Sequence, residues 1–127
     1  MDMGESERRV ESVMTAPVET ISATATVREA ATVMREHDFN ALLVPGGQAG
    51  IVTSTDVLDV VVEGEDPAAL AVEDVMTAPV ESVSSDLRLG EAAAMMTNYG
   101  INHLPVIGDD RDYVGMVSST DLRETLV

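Results

Sequence analysis

The stretch "VESVMTAPVETIS", beginning at Val10, returns as "VEDVMTAPVESVS", beginning at Val72, an offset of 62 residues. Between residues 13–46 and 75–108, 16 of 34 aligned positions are identical. The offset widens to 65 at Gly50 and Gly115, because "GDDRDYVG" carries three residues more than "GGQAG". A loop joining two paired strands absorbs a change of that kind. Self-similarity over such a length means one supersecondary unit used twice, so the chain must fold as two similar halves.

Each half carries the same signals in the same order. "PVETI" and "PVESV" follow a proline and run mostly apolar, which predicts short strands. Val27, Ala30, Ala31 and Met34 then fall at helical spacing, and Leu89, Ala92, Ala93 and Met96 repeat it. Thr26 with Glu29 suits a capping box at the start of the first helix. "ALLV" and "HLPVI" read as buried strands joined by turns to "GIVT" and "VGMVS", and "DVLDVVV" and "DLRETLV" as closing helices. The order is β-α-β-β-α, twice, in an α+β fold. The first motif spans 10–62 and the second 72–127. The linker between them, 63–71, has room for one helical turn capped by Asp66 with Pro67 at its first position.

Composition narrows what fills these halves. Apolar residues make up 45% and aromatics 2%, so the core is built from aliphatic side chains and from the eight methionines. No cysteine is present, which removes disulfides, thiol nucleophiles and thiolate metal sites. Twenty-three acids face seven bases, all of them arginine, for a net charge of -16. Nucleic acid is excluded as a partner, since its phosphates need a basic patch and these arginines are scattered. The acidity fits either a basic protein partner or a halophilic, salt-rich setting where screening tolerates self-repulsion. No run approaches the roughly 20 apolar residues that span a bilayer, so no membrane role is expected. The opening "MDMGESERRV" lacks the charged-then-apolar form of a signal peptide, so the expected location is cytoplasmic.

The phrase "TSTD" at 53–56 and its echo "SSTD" at 118–121 admit two readings. Hydroxyls followed by an acid can cap a helix. The same groups can bind a nucleoside: a carboxylate accepts two vicinal hydroxyls, while Ser, Thr and N-terminal amides donate to phosphate. One group of residues serves either purpose, and both remain open here.

Taken in order, V-M-T-x-x-P-V, a helix, a strand such as "INHLPV" and then G-h-V-T/S-x-x-D resemble the cystathionine-β-synthase (CBS) domain, matched twice. The resemblance implies a stand-alone Bateman module, two motifs packed through their sheets about a pseudo-twofold axis with two clefts between them. Family members commonly bind adenine nucleotides or S-adenosylmethionine-like ligands there. The implied function is regulatory signal transduction, with AMP, ADP, ATP or S-adenosylmethionine as candidate ligands, no required cofactor, a homodimer and an effector protein of unknown identity. The alternative is a dimerising scaffold indifferent to ligand, for which Val57, Val60, Val61, Leu122 and Leu126 offer apolar helix faces.

Carried over residue by residue, the resemblance makes Asp56 and Asp121 the ribose acceptors. Thr53, Thr55, Ser118 and Thr120 are then the hydroxyl donors near phosphate. The Asp121 site draws its base slot from Thr15, Val18, Thr20, Phe39, Asn40 and Ala41. The Asp56 site uses Thr77, Val80, Ser82, Ile101, Asn102 and, by symmetry, His103. Val18, Val80, Phe39 and Ile101 read equally as core. His103 stands where the first motif has Ala41, which gives the Asp121 site a nearby potential cation that the Asp56 site lacks. His103 also reads as a boundary histidine, and His37 as a favourable charge at a helix end. Enzyme motifs are missing: there is no P-loop, no G-x-S-x-G elbow and no metal-ligand spacing, so neither catalysis nor a metal site is expected.

Overall fold

A computed structural model describes residues 8–126, with side chains to residue 125. Residues 1–7 of the opening segment, Val127 at the end of the second motif and the Leu126 side chain lie outside what it describes. The helices and strands follow the repeat. Helix α1 (Val27–His37), strands β1 (Ala41–Val44) and β2 (Gly50–Thr53) and helix α2 (Ser54–Val62) form the first series. Strand β3 (Val83–Ser84), helix α3 (Leu89–Tyr99), strands β4 (His103–Ile107) and β5 (Tyr113–Ser118) and helix α4 (Ser119–Leu126) form the second. The α+β class and the doubled motif are as the sequence reading has them.

The helices bury the stripe that the spacing predicts. Val27, Ala30 and Met34 of α1 are buried, as are Leu89, Ala92 and Met96 of α3. Each helix ends on a left-handed residue, Asp38 at φ 58 and Gly100 at φ 65. At the start of α1 the Thr26 hydroxyl accepts the Glu29 amide at 3.0 Å. The strand expected at "PVETI" contracts to one parallel bridge, Thr20 to Leu43, and its counterpart to the two residues of β3, which lie parallel to β4. Proline brings no N–H to a ladder, which limits how far pairing extends back along either segment. In the linker, Asp66 Oδ1 accepts the Ala68 amide at 2.9 Å, and the segment forms a turn without a helix.

Two compact units emerge, and they cut across the repeat. Of the described residues, one holds 19–80 and the other holds 81–126 together with 8–18. In the first unit β1 and β2 pair antiparallel, and the Ile51 and Thr77 backbones bridge the outer edge of β2 with two 2.9 Å hydrogen bonds. In the second unit β3, β4 and β5 form the sheet, and Thr15 and Met116 bridge the outer edge of β5 at 2.8 and 2.9 Å. The three extra residues of "GDDRDYVG" sit in the β4–β5 turn, where Arg111 takes φ 68. Each core includes a valine from the segment that crosses over. Val72 joins Leu42, Val44 and Val52 in the first unit, and Val10 joins Leu104, Val106 and Val117 in the second. Both valines are 0% exposed, and burying such a side chain contributes about 1.5–3 kcal/mol.

Gly50 and Gly115 make the edge bridges sterically feasible. A Cβ on Gly115 would lie 2.6 Å from Met14 Sδ and 2.8 Å from the Thr15 carbonyl oxygen. On Gly50 it would meet Met76 Sδ at 2.7 Å and the Thr77 oxygen at 3.0 Å. These glycines are needed for closeness: neither has a positive φ.

Candidate functional site

Both TD phrases lie at a strand-to-helix corner, and capping and ligand binding draw on the same atoms there. Thr53 ends β2 as the N-cap of α2; its amide donates to Asp56 Oδ2 at 2.8 Å and its hydroxyl does so at 3.1 Å. The Asp56 amide donates back to Thr53 Oγ1 at 3.4 Å, completing a capping box. At α4 the Ser118 amide donates to Asp121 Oδ2 at 2.9 Å and the Asp121 amide to Ser118 Oγ at 3.1 Å. The next amide is also taken in each unit: Ser54 donates to the Asn40 carbonyl at 2.9 Å, and Ser119 to the Asn102 carbonyl at 2.8 Å. Every bond that the described residues make to either carboxylate falls on Oδ2. Oδ1 of each aspartate keeps its lone pairs available to a ligand hydroxyl.

His103 opens β4 directly across from Ser118 in the register with β5. Burial pushes its imidazole below the ordinary 6.5, and the neighbouring Asp121 carboxylate pulls the other way. Loss of hydration is the larger effect, so the ring is mainly neutral at pH 7. In the first unit Ala41 takes the same register position, opposite Thr53.

The two units divide the anticipated site residues differently from the two clefts. Asp121, Ser118, Thr120 and His103 share a unit with Thr15 and Val18; Thr20, Phe39, Asn40 and Ala41 belong to the other. Asp56, Thr53 and Thr55 share theirs with Thr77 and Val80, whereas Ser82, Ile101 and Asn102 do not. Asn40 and Asn102 each satisfy the helix that starts beside them. The half-buried Phe39 ring stacks on His37 at 6.1 Å. Thr55 and Thr120 are exposed on their helices, and Thr120 Oγ1 accepts a hydrogen bond from Arg123 at 3.3 Å.

Two features escaped the sequence reading. One is the role of Gly50 and Gly115 in seating the threonines of the two "VMTAPV" segments; the glycine that leads "GIV" and "GMV" is its trace. The other is a groove of about 560 Å³ between α3 and α4, lined by Met96, Thr97, Ile101, Asn102, Leu122 and Arg123 among others. Among the described residues no three His, Asp or Glu side chains converge as metal ligands do, and no helix is long and apolar enough to cross a membrane.

A duplicated β-α-β-β-α chain, with a hydroxyl and a carboxylate at each closing strand-to-helix corner, defines a small α+β module built as a pair. The CBS domain family profile matches residues 10–63 and again 72–127, and the chain belongs to that family as a tandem CBS pair. It is 33% identical over 105 residues to an uncharacterised protein of Methanopyrus kandleri, covering 80% of this chain and 54% of that one. It is 32% identical over 124 residues to the inosine-5'-monophosphate dehydrogenase of Korarchaeum cryptofilum, covering 96% of this chain but 25% of the enzyme. The chain thus spans about half or less of the length of these two relatives. Among solved structures, the CBS domain pair of protein MJ0100, in complex with 5'-methylthioadenosine and S-adenosyl-L-methionine, superposes with a TM-score of 0.81 at 28% identity. That match covers 91% of this chain and 93% of the other.

Proposed function

We propose that this CBS pair is a regulatory sensor of an adenosyl compound, non-catalytic, with the ribose hydroxyls received by Asp121 and, in the pseudo-equivalent corner, by Asp56. One observation carries the reading: a carboxylate fixed through one oxygen, with the other unbonded, recurs at the same corner of both units. A vicinal diol is the ligand chemistry that a spare carboxylate oxygen fits. The MJ0100 pair, with its two adenosyl ligands, supports the reading from outside. Calorimetry with AMP, ADP, ATP and S-adenosylmethionine in molar salt tests it. Heat from at least one ligand, reduced at least tenfold in affinity by Asp121→Ala, is the expected result. No heat and no thermal shift with any of the four refutes it.

A ligand-independent dimerising scaffold is the second reading. It draws on α2, where Leu58, Val61 and Val62 are 62%, 58% and 83% exposed; Val60 and Leu122 are buried and contribute nothing to such a face. Light scattering decides between the two. A homodimer unchanged by every adenosyl ligand favours the scaffold, and a ligand-dependent change favours the sensor. The net charge of -16 further supports a salt-rich cytoplasmic setting. The melting temperature then rises steeply from low to molar salt, and a flat profile removes that proposal in favour of a basic partner.

A further inference from the structure

We propose that the groove between α3 and α4 is a second binding site, one that takes a small organic carboxylate with an apolar body. It is separate from the strand-to-helix corners proposed for ribose, and its failure would leave the adenosyl reading standing.

The spacing of the sequence builds its walls. Ala93, Met96, Thr97 and Gly100 follow one another at i, i+3, i+4 and i+7, and Ser119, Leu122 and Arg123 at i, i+3 and i+4, so each helix offers a single face. Met96 and Leu122 are buried and supply apolar surface. Ala93 and Gly100 are small and leave the space open. Its volume of about 560 Å³ falls in the range of about 300–1,000 Å³ typical of small-molecule sites. Here the two repeats diverge. Aligned with Thr97, Gly100, Ile101 and Arg123, the first repeat carries Arg35, Asp38, Phe39 and Leu58. This lining belongs to the second repeat alone, whereas the TD corners recur in both.

Charge names the occupant. In a chain with 23 acids, no lining residue of the groove is acidic, and one, Arg123, is a cation. Its guanidinium donates to Thr120 Oγ1 at 3.3 Å and makes no ion pair among the described residues. Three and four places from it along the sequence stand Ser119, Thr120, Leu126 and Val127, none of which brings a carboxylate. Four further N–H donors remain on a guanidinium that gives one to a hydroxyl, and their fork matches the two oxygens of a carboxylate. Thr97, Asn102 and Ser119 add polar side chains that have no hydrogen-bond partner among the described residues. Met96, Ile101 and Leu122 suit the apolar body. One positive charge matches a monoanion, and a second negative charge would meet only the repulsion of a chain at net -16.

The test is a titration of the isotope-labelled full chain with octanoate at pH 7.5 in molar potassium chloride, followed by amide chemical shifts, with octanol as the uncharged counterpart. Molar salt screens the repulsion of the chain as a whole and leaves direct pairing. The expected result is saturable shifts centred on Thr97, Ile101, Ser119 and Arg123, with octanoate bound at least fivefold more tightly than octanol. Arg123→Gln lowers the octanoate affinity at least fivefold and that for octanol less than twofold. Arg123 is exposed, and an unchanged urea midpoint shows that the variant folds. Absent binding, shifts confined to other faces, or octanoate binding that Arg123→Gln leaves unchanged overturns the proposal. Ile101 and Asn102 are also anticipated in the base slot of the Asp56 site, so AMP and S-adenosylmethionine are added as competitors. Displacement of octanoate by either assigns the groove to the adenosyl site and overturns the proposal. A dimer that Arg123→Gln dissociates in light scattering, without any octanoate shift, gives the groove to a second copy and overturns it too.

Discussion

Replacing Gly115 by alanine tests the edge bridge that seats Thr15. The new Cβ would stand 2.6 Å from Met14 Sδ and 2.8 Å from the Thr15 carbonyl oxygen. The sulfur ends a flexible side chain and can swing aside at little cost. The carbonyl cannot, because it accepts the Met116 amide at 2.9 Å while the Thr15 amide donates to Met116 at 2.8 Å. Moving it strains both bonds, each worth about 0.5–1.5 kcal/mol, and overpacking a buried site costs about 1–3 kcal/mol. Some of the overpacking is relieved as the bridge opens, so we expect a loss of about 2–4 kcal/mol, a large share of the 5–15 kcal/mol typical of a domain. Urea unfolding in molar salt measures it, with Gly46→Ala as the control, since nothing lies within 4 Å of a Cβ there. The control stays within about 0.5 kcal/mol of the natural chain. Adding Met14→Ala to Gly115→Ala brings no rescue, because the backbone is the obstacle. Equal stability of Gly115→Ala and Gly46→Ala refutes the reasoning, and full rescue by Met14→Ala places the clash on the side chain.

Two further outcomes follow from single residues. Because burial lowers the His103 pKa below 6.5, the unfolded chain binds a proton that the folded chain refuses, so stability falls as pH drops from about 6.5 to the folded value and levels off below it. Unfolding free energies of the natural chain minus those of His103→Gln, taken between about pH 8 and about pH 5, should decline over that interval, and a flat difference contradicts the burial argument. Asp38→Gly should stabilise by about 0.5–1 kcal/mol, since a non-glycine residue there holds φ 58 and places an acid at the negative end of α1; a lower urea midpoint would show that glycine's extra freedom in the unfolded chain prevails.

What the sequence made legible is what leaves a local mark. The spacing of Val27, Ala30 and Met34 is enough to place α1 and its buried face, and "ALLV" with "GIVT" is enough to place a hairpin. The Thr15–Met116 bridge leaves no such mark. It joins backbones about a hundred residues apart, and nothing in either side chain records it beyond a glycine beside the contact. The TD phrases were legible as chemistry but ambiguous in use: Asp56 and Asp121 cap their helices through Oδ2, and the same bonds leave Oδ1 available. The state of His103 depends on burial, which becomes visible only once β4 is placed against its neighbours.

The crossing of the opening segments bears on how such a chain could be divided. Cut between the repeats, the first half keeps β2 but loses Thr77 and the buried Val72. The second half keeps β5 but loses Thr15 and the buried Val10. Each fragment therefore carries the arm that, in the whole chain, pairs with the other fragment's sheet edge. The cut that spares every one of these contacts falls near residues 18 and 80. A single-repeat precursor would have met the same condition. With its arm placed as it is here, a lone repeat would complete its sheet edge with the arm of a second copy.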